Sequence, residues 1–177
     1  MKNMTGMIRL PESIMMKEIA TLSEIEQLVP VIAEIWQEHY MPIIGREQVE
    51  YMLAKFQSGD AIQKQIAHDG YHYYAVFHEE SIAGYCAVTR TNETAVFLSK
   101  FYVSAKYRGL GYGREMLRYL TDTWNQPSGC RIWLTVNKNN TTSIAIYQKL
   151  GFRIMEELVT DIGHGFVMDD YKMEKTL

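Results

Sequence analysis

The sequence has only two cysteines, four prolines and no long uninterrupted apolar stretch, and it carries no excess of positive charge. Cys86 and Cys130 lie far apart with no Cys-x-x-Cys spacing, so neither a disulfide framework nor a zinc cluster is expected, and both read as buried free thiols. Eighteen Lys and Arg stand against 21 Asp and Glu, a net charge of -3. The overall attraction to phosphate backbones on which nucleic-acid binders rely is therefore missing, and any anion must be held by a local site. No segment approaches the ~18 apolar residues of a membrane span. The first residues are broken by Gly6, Arg9, Pro11 and Glu12, unlike a secretory signal. The expected setting is the cytoplasm, without nucleic-acid or membrane partners.

What is present suits one globular domain: 177 residues, 47% hydrophobic and 22% charged. Residues 1–15 show no period and read as an irregular arm, leaving a single domain over 16–177. Ser23 with Glu26 forms a capping-box pattern ahead of Ile25, Leu28, Val29, Ile32, Ile35 and Trp36 at helical spacing, and Pro30 should kink that helix. Past residues 39–42 a second helix is marked by Val49, Met52, Leu53 and Phe56, and a short third covers 61–67. The chain then turns aromatic and β-branched. Residues 71–77 and 82–89 form a hairpin around Glu79-Glu80, and 94–103 are a third strand. Further on come a helix with Met116, Leu117, Leu120 and Trp124 on one face and a strand at 132–136. A helix opened by Asn140 and stopped by Gly151 follows, then two closing strands at 152–160 and 166–173. This order predicts an α/β (α+β type) fold: a mixed, mostly antiparallel sheet with helices on both faces.

Strand, glycine loop and helix follow one another at Arg108-Gly109-Leu110-Gly111-Tyr112-Gly113. Glycines at 109, 111 and 113 let the backbone turn sharply and present N–H groups to a pyrophosphate at a helix N-terminus, with Arg108 adding charge. It is not a P-loop, because Arg114-Glu115 follow where Lys and Ser or Thr are needed. Nor is it the dinucleotide fingerprint, whose glycine spacing and βαβ setting differ. Alone, such a loop could be a turn and a helix start. A second segment lies one strand further on, Asn140-Thr-Thr-Ser-Ile-Ala-Ile-Tyr147-Gln-Lys149-Leu-Gly151-Phe152.

Together the two motifs resemble those of the GNAT superfamily of acetyl-CoA-dependent N-acetyltransferases. Arg108, Gly111 and Gly113 match Arg/Gln-x-x-Gly-x-Gly/Ala, and Asn140, Tyr147, Lys149, Gly151 and Phe152 match Asn...Tyr-x-Lys-x-Gly-Phe. The resemblance covers residues 16–175, with a looser likeness to PaiA-type polyamine acetyltransferases around Trp36, the Val49 helix and the C-terminal strand. It implies that the strand ending at Val103 splays from the strand at 132–136 and that acetyl-CoA lies in the opening. Backbone N–H groups at Phe101, Tyr102 and Val103 would then meet pantetheine and the thioester carbonyl, and Arg108, Gly109, Leu110, Gly111, Tyr112 and Gly113 the phosphates. Asn140 would cap its helix and touch the pantetheine arm, while Lys149, otherwise a solvated helix lysine, would lie near the phosphates.

Amine acetylation needs one group to take a proton and one to give it. Tyr147, with a phenol pKa of about 10 against about 8.5 for a thiol, is the candidate giver; otherwise it packs the helix face. The base is not legible. Where polyamine acetylases lead one to expect glutamates, this chain has Phe97, Leu98, Ser99 and Lys100. Ser99 with a relay water, Glu34, Glu38 and His39 stay open. Trp36, Tyr40 and Tyr74 are candidates for an acceptor pocket or for core. Asp161, His164, Asp169 and Asp170 lie around the last hairpin, which the resemblance implies can border the acceptor and which otherwise reads as a solvated turn; His68 and His72 lack a third ligand, so no metal is expected. The expected acceptor is a primary amine on a small molecule or polyamine. The alternatives are a protein lysine or N-terminus, or a non-catalytic acyl-CoA-binding module. Two copies would pair through the last strands if the chain dimerises.

Overall fold

The computed structural model describes residues 14–177. Seven strands and five helices follow in the order β1 (Ile14–Ile19), α1 (Leu22–Ile44), α2 (Arg46–Phe56), α3 (Gly59–His68), β2 (His72–His78), β3 (Ser81–Asn92), β4 (Ala95–Val103), α4 (Tyr112–Trp124), β5 (Arg131–Asn137), α5 (Thr141–Lys149), β6 (Arg153–Gly163) and β7 (Phe166–Thr176). They build one sheet in the order β1-β2-β3-β4-β5-β7-β6. Every neighbouring pair is antiparallel except β4 and β5. The expected mixed, mostly antiparallel sheet is present, with helices on both faces.

Alternation along the strands feeds two cores. One face packs Val88, Val96, Ile132, Leu134 and Met173 against Met116, Leu117, Leu120 and Trp124 of α4. The other packs Tyr73, Ala75, Tyr85 and Ala87 against Ile25, Leu28, Ile32 and Ile35 of α1, Val49 and Met52 of α2 and Ile62 of α3.

Three expectations need correction. The arm predicted over residues 1–15 already contains strand at its end, since Ile14 and Met15 pair with His78 and Phe77; residues 1–13 lie outside the described residues. The first helix is capped by Thr21 rather than Ser23. Glu24 N–H donates to Thr21 Oγ1 at 3.3 Å while Thr21 N–H donates to Glu24 Oε2 at 2.9 Å, so two otherwise orphaned amides satisfy each other's residues. Finally, α1 does not stop before Pro42 but runs through Pro30 and Pro42 to Ile44. A buried stripe from Ile25 to Trp36 holds it to the sheet, which outweighs the hydrogen bond each proline removes.

Candidate active site

The parallel pair is short. Ala95, Val96 and Phe97 of β4 face Arg131, Ile132 and Trp133 of β5, and beyond them the two strands part. β5 continues on β7 as far as Asn137 opposite Asp170, while β4 continues on β3 to Val103 opposite Gly84. Phe97 and Trp133, stacked 4.2 Å apart, close the bottom of the resulting V. The β5-facing edge at Phe101, Tyr102 and Val103 is thus left without a strand partner, as the family resemblance implied. On the β3 side the approach is very close. A Cβ on Gly84 would run into the Tyr102 carbonyl oxygen, so only glycine lets the end of β4 sit where it does.

A bulge in β4 decides which side chains enter which face. Ala87 pairs with Lys100 and Val88 with Leu98, so Ser99 is the extra residue. Leu98, Phe101 and Val103 therefore pack on the α4 side, whereas Tyr102 turns toward α1.

On the α4 side lies the glycine loop. Gly109 (φ 77°) and Gly111 (φ 90°) adopt left-handed conformations that other residues rarely accept, and Gly111 is the N-cap of α4. Gly113 does not turn the chain as the alternating pattern suggested. It is the second residue of α4, and its missing Cβ faces the Phe101 ring across 3.8 Å. No side chain caps α4, whose first amide bonded within the helix is Glu115 N–H to Gly111 O, so the preceding amides are available to an anion. The Tyr112 ring is buried in the core, leaving only its backbone to the loop, while Leu110 is exposed. Arg108 folds its Nε onto the Val103 carbonyl at 3.0 Å, joining the loop to the end of β4.

The second motif places a tyrosine over the V. α5 ends in a Schellman arrangement: Gly151 N–H donates to Gln148 O and Phe152 N–H to Tyr147 O, both at 3.0 Å, with Gly151 at φ 95°. Phe152 then closes on Tyr147, ring centroids 5.8 Å apart, and Phe101 flanks it at 6.2 Å. The Tyr-x-Lys-x-Gly-Phe spacing is thus the geometry that fixes the Tyr147 ring. Burial pushes the Tyr147 phenol above its ordinary pKa, and the nearby Tyr40 hydroxyl adds to this. At the other end of α5, Asn140 accepts from Ser143 N–H at 3.3 Å and its Nδ2 donates to His39 Nε2 at 3.0 Å, tying α5 to α1 across the open end of the V. Lys149 is exposed in the last turn.

On the opposite face a cavity of about 240 Å³ opens under α1, α2 and α3. Trp36 and Tyr40 line it, as does Ser99. Tyr74, the third aromatic singled out, does not: it lies in the α4-side core against Tyr119. Among the candidate bases, Glu34 and Glu38 are exposed and His39 is engaged by Asn140. Burial, and then Arg108, lower the His39 pKa.

The acid that does line the cavity is Asp170, only 4% exposed. It stands on β7 opposite Asn137, and its carboxyl is raised to about 6, chiefly by burial; the Thr135 hydroxyl opposes that shift, Asp169 adds to it and Lys138 opposes it. Grouping Asp170 with Asp161, His164 and Asp169 as a solvated turn, rather than as the border of the acceptor site, passed over this. The signal was the alternation Phe166, Met168, Asp170, which puts the acid on the face of two apolar residues. Among the described residues no cluster of three metal-ligating side chains occurs, and no helix is long and apolar enough to cross a membrane.

Comparison with known proteins agrees with this geometry. The chain is 36% identical over 64 residues to the spermine/spermidine N(1)-acetyltransferase of Bacillus subtilis, covering 36% of this chain and 42% of that one. It is 28% identical over 96 residues to the N-alpha-acetyltransferase RimI of Mycobacterium tuberculosis, covering 52% and 59%. The chain therefore spans about half the length of these curated relatives. Its fold superposes on the PaiA N-acetyltransferase of Thermoplasma acidophilum, solved with coenzyme A, with a TM-score of 0.78 at 19% identity, covering 93% of this chain and 99% of that one. The profile of the acetyltransferase (GNAT) family matches residues 29–152, which include the V, the glycine loop and α5, and the chain belongs to that family.

Proposed function

We propose that this protein transfers an acetyl group from acetyl-CoA to a primary amine of a small molecule, within one acetyltransferase domain over residues 16–177 that β1 joins from Ile14. The observation that carries this reading is the V between β4 and β5. It connects a glycine loop at an uncapped helix start with a cavity holding a buried carboxylate.

The residues fit the coenzyme. Backbone amides of Gly109, Leu110, Gly111, Tyr112 and Gly113, with Arg108 swung from Val103, would receive the pyrophosphate. Lys149 would meet outlying phosphate charge. Free β4 amides among Phe101, Tyr102 and Val103 would receive pantetheine and donate to the carbonyl oxygen as it gains charge. Asn140, occupied by its cap and by His39, would hold α5 in position. Bound there, acetyl-CoA supplies a thioester whose carbonyl carbon exchanges its C–S bond for a C–N bond to the amine, one proton leaving nitrogen and one arriving at sulfur.

Asp170 takes the first proton. Its pKa of about 6 leaves it ionised at neutral pH yet far more basic than an ordinary aspartate. Tyr147, protonated throughout the working range, donates to the sulfur. The small cavity supports a small acceptor over a folded protein, and a polyamine is the acceptor that the Bacillus relative's name suggests. Such a reaction belongs where acetyl-CoA is made, in the cytoplasm.

The test pairs calorimetry with turnover. Coenzyme A should bind the parent and lose most of its affinity in Gly111→Val, and acetyl-CoA with a pooled amine panel should release thiol. Unchanged affinity in the variant would place the coenzyme elsewhere. Binding without thiol release would leave a non-catalytic acyl-CoA-binding module, and release only with peptides a protein acetyltransferase.

A further inference from the structure

A buried ammonium without a counter-ion sits in the acceptor cavity. Lys100 is 8% exposed; its Nζ donates to the Ser99 hydroxyl at 2.7 Å and lies 5.5 Å from the centre of the Tyr71 ring. Lys17, Lys64, Lys138 and Lys172, all nearer to solvent, each have a carboxylate within 2.9 Å. Lys100 forms no ion pair among the described residues. An uncompensated buried charge is costly, and here the bulge at Ser99 creates it, since regular alternation would have put Lys100 on the side of Leu98.

A second polar group waits in the same cavity. Gln57 is 3% exposed, and its amide oxygen has no partner among the described residues. It adjoins Phe56, whose carbonyl accepts from Gln65 Nε2, and Gln65 in turn accepts the Tyr71 N–H at its own carbonyl. Tyr71 is the ring beside Lys100, so a run of contacts links Gln57 to Lys100 along the wall of the cavity that both line. The Gln57 amide can offer either of its ends to a ligand. Asp170 lies across the V on β7, more than the ~10 Å of two strand spacings from β4, because β4 and β5 have parted there. The cavity wall also carries the apolar and aromatic Trp36, Met52 and Phe97, with Gln48, Thr135 and Asn137 adding neutral polar groups.

Given the acetyltransferase reading above, we propose that the acceptor is an amine carrying a carboxylate at its far end, the carboxylate held by Lys100 and Gln57 and the amine presented to Asp170. One ammonium and one neutral amide match a single carboxylate; among the described residues no arginine lines the cavity to receive a phosphate dianion. A polyamine, despite the Bacillus relative, would bring further positive charge against a cation that has nowhere to go. Burial lowers the Lys100 pKa to about 8, so the free site still carries most of its charge at neutral pH, and an incoming carboxylate would restore the rest.

The experiment uses the full chain with acetyl-CoA and ω-amino acids from glycine to 6-aminohexanoate, each beside its amide, with spermidine and 2-aminoethyl phosphate as further arms. At pH 7 one or more acids should exceed their amides at least tenfold in kcat/KM. In Lys100→Met that ratio should collapse to within about twofold through a raised KM, and Lys100→Arg should recover part of it. Calorimetry of the preferred acid on the coenzyme A complex should show the same loss of affinity, and coenzyme A binding reports whether the variant is folded. Spermidine or the phosphate outperforming every acid overturns the proposal while leaving the acetyltransferase reading intact. An acid preference unchanged in Lys100→Met does the same. No thiol release with any amine overturns both.

Discussion

The two faces of the sheet are packed to different standards. Against α4 the core is closed and overwhelmingly apolar, its few polar atoms belonging to side chains such as Tyr74, Tyr112, Cys86 and Trp124, whose indole Nε1 has no partner among the described residues. Against α1, α2 and α3 the same sheet tolerates a buried lysine, a buried aspartate, an unpaired amide oxygen and a void. Tyrosine and tryptophan hydroxyl and indole groups there hold one another, Trp36 Nε1 donating to Tyr85 at 3.0 Å and Tyr40 meeting Tyr102 at 3.2 Å. One face holds the fold, and the other stores unfavourable desolvation where chemistry needs it.

That contrast breaks first at Asp170. Asp170→Asn should lower kcat/KM about 10³-fold, a loss of about 4 kcal/mol, and should remove the rise in parental kcat/KM as pH climbs through about 6. The same variant should be more stable than the parent at pH 8. The carboxyl has its ordinary value of 3.8 in the unfolded chain and about 6 in the fold, so the folded state binds more protons between these values and stability falls as pH rises through them. The gain, on the order of 2 kcal/mol, should be present at pH 8 and mostly gone at pH 4 in urea melts. A variant destabilised at both pH values would mean that Asp170 is a structural acid.

The opposite result is expected on the other face. Leu120→Ala, at a fully buried α4 position, should cost about 3 kcal/mol in denaturant unfolding yet leave KM near the parental value at temperatures where both stay folded. A large change in KM would show the two faces to be coupled.

Tyr147→Phe sharpens the comparison from between the faces. Only an oxygen is lost, and the packing on Phe101 and Phe152 remains, so the melting temperature and coenzyme A affinity should hold while kcat falls about 10²-fold. The fall should appear with every acceptor in single-turnover measurements. Equal single-turnover rates for variant and parent would reduce Tyr147 to a packing residue.

Most of the fold was legible because its signals are local and periodic. The apolar stripe of α4, the hairpin of β2 and β3 and the cap and stop of α5 at Asn140 and Gly151 each sit within a few residues. The family motif also pointed to Tyr147, and the structure supplies the reason for its spacing in the helix-ending hydrogen bonds of Gly151 and Phe152. Lys100 and Asp170 were given no part in the chemistry for different reasons. Asp170 follows a readable alternation in the strand over 166–173, but beside Gly163 and Gly165 its side chain reads as part of a solvated hairpin. Lys100 depends on a bulge, and a one-residue irregularity has no signature of its own in Phe97-Leu98-Ser99-Lys100.

The bulge at Ser99 also makes the pairing of β4 a more sensitive quantity than its length. Deleting Ser99 joins Leu98 directly to Lys100 and leaves both opposite their present partners, Val88 and Ala87, so regular alternation returns with Phe101 and Tyr102 on the sides they already hold. A change that drew Ser99 into the ladder opposite Ala87 would instead slide every later residue by one position. Phe101 and Tyr102 would then exchange sides, carrying the flank of Tyr147 and the partner of Tyr40 away together. A deletion at residue 99 would cost little beyond one hydroxyl beside Lys100, while a substitution that irons out the bulge at constant length would unsettle both halves of the site.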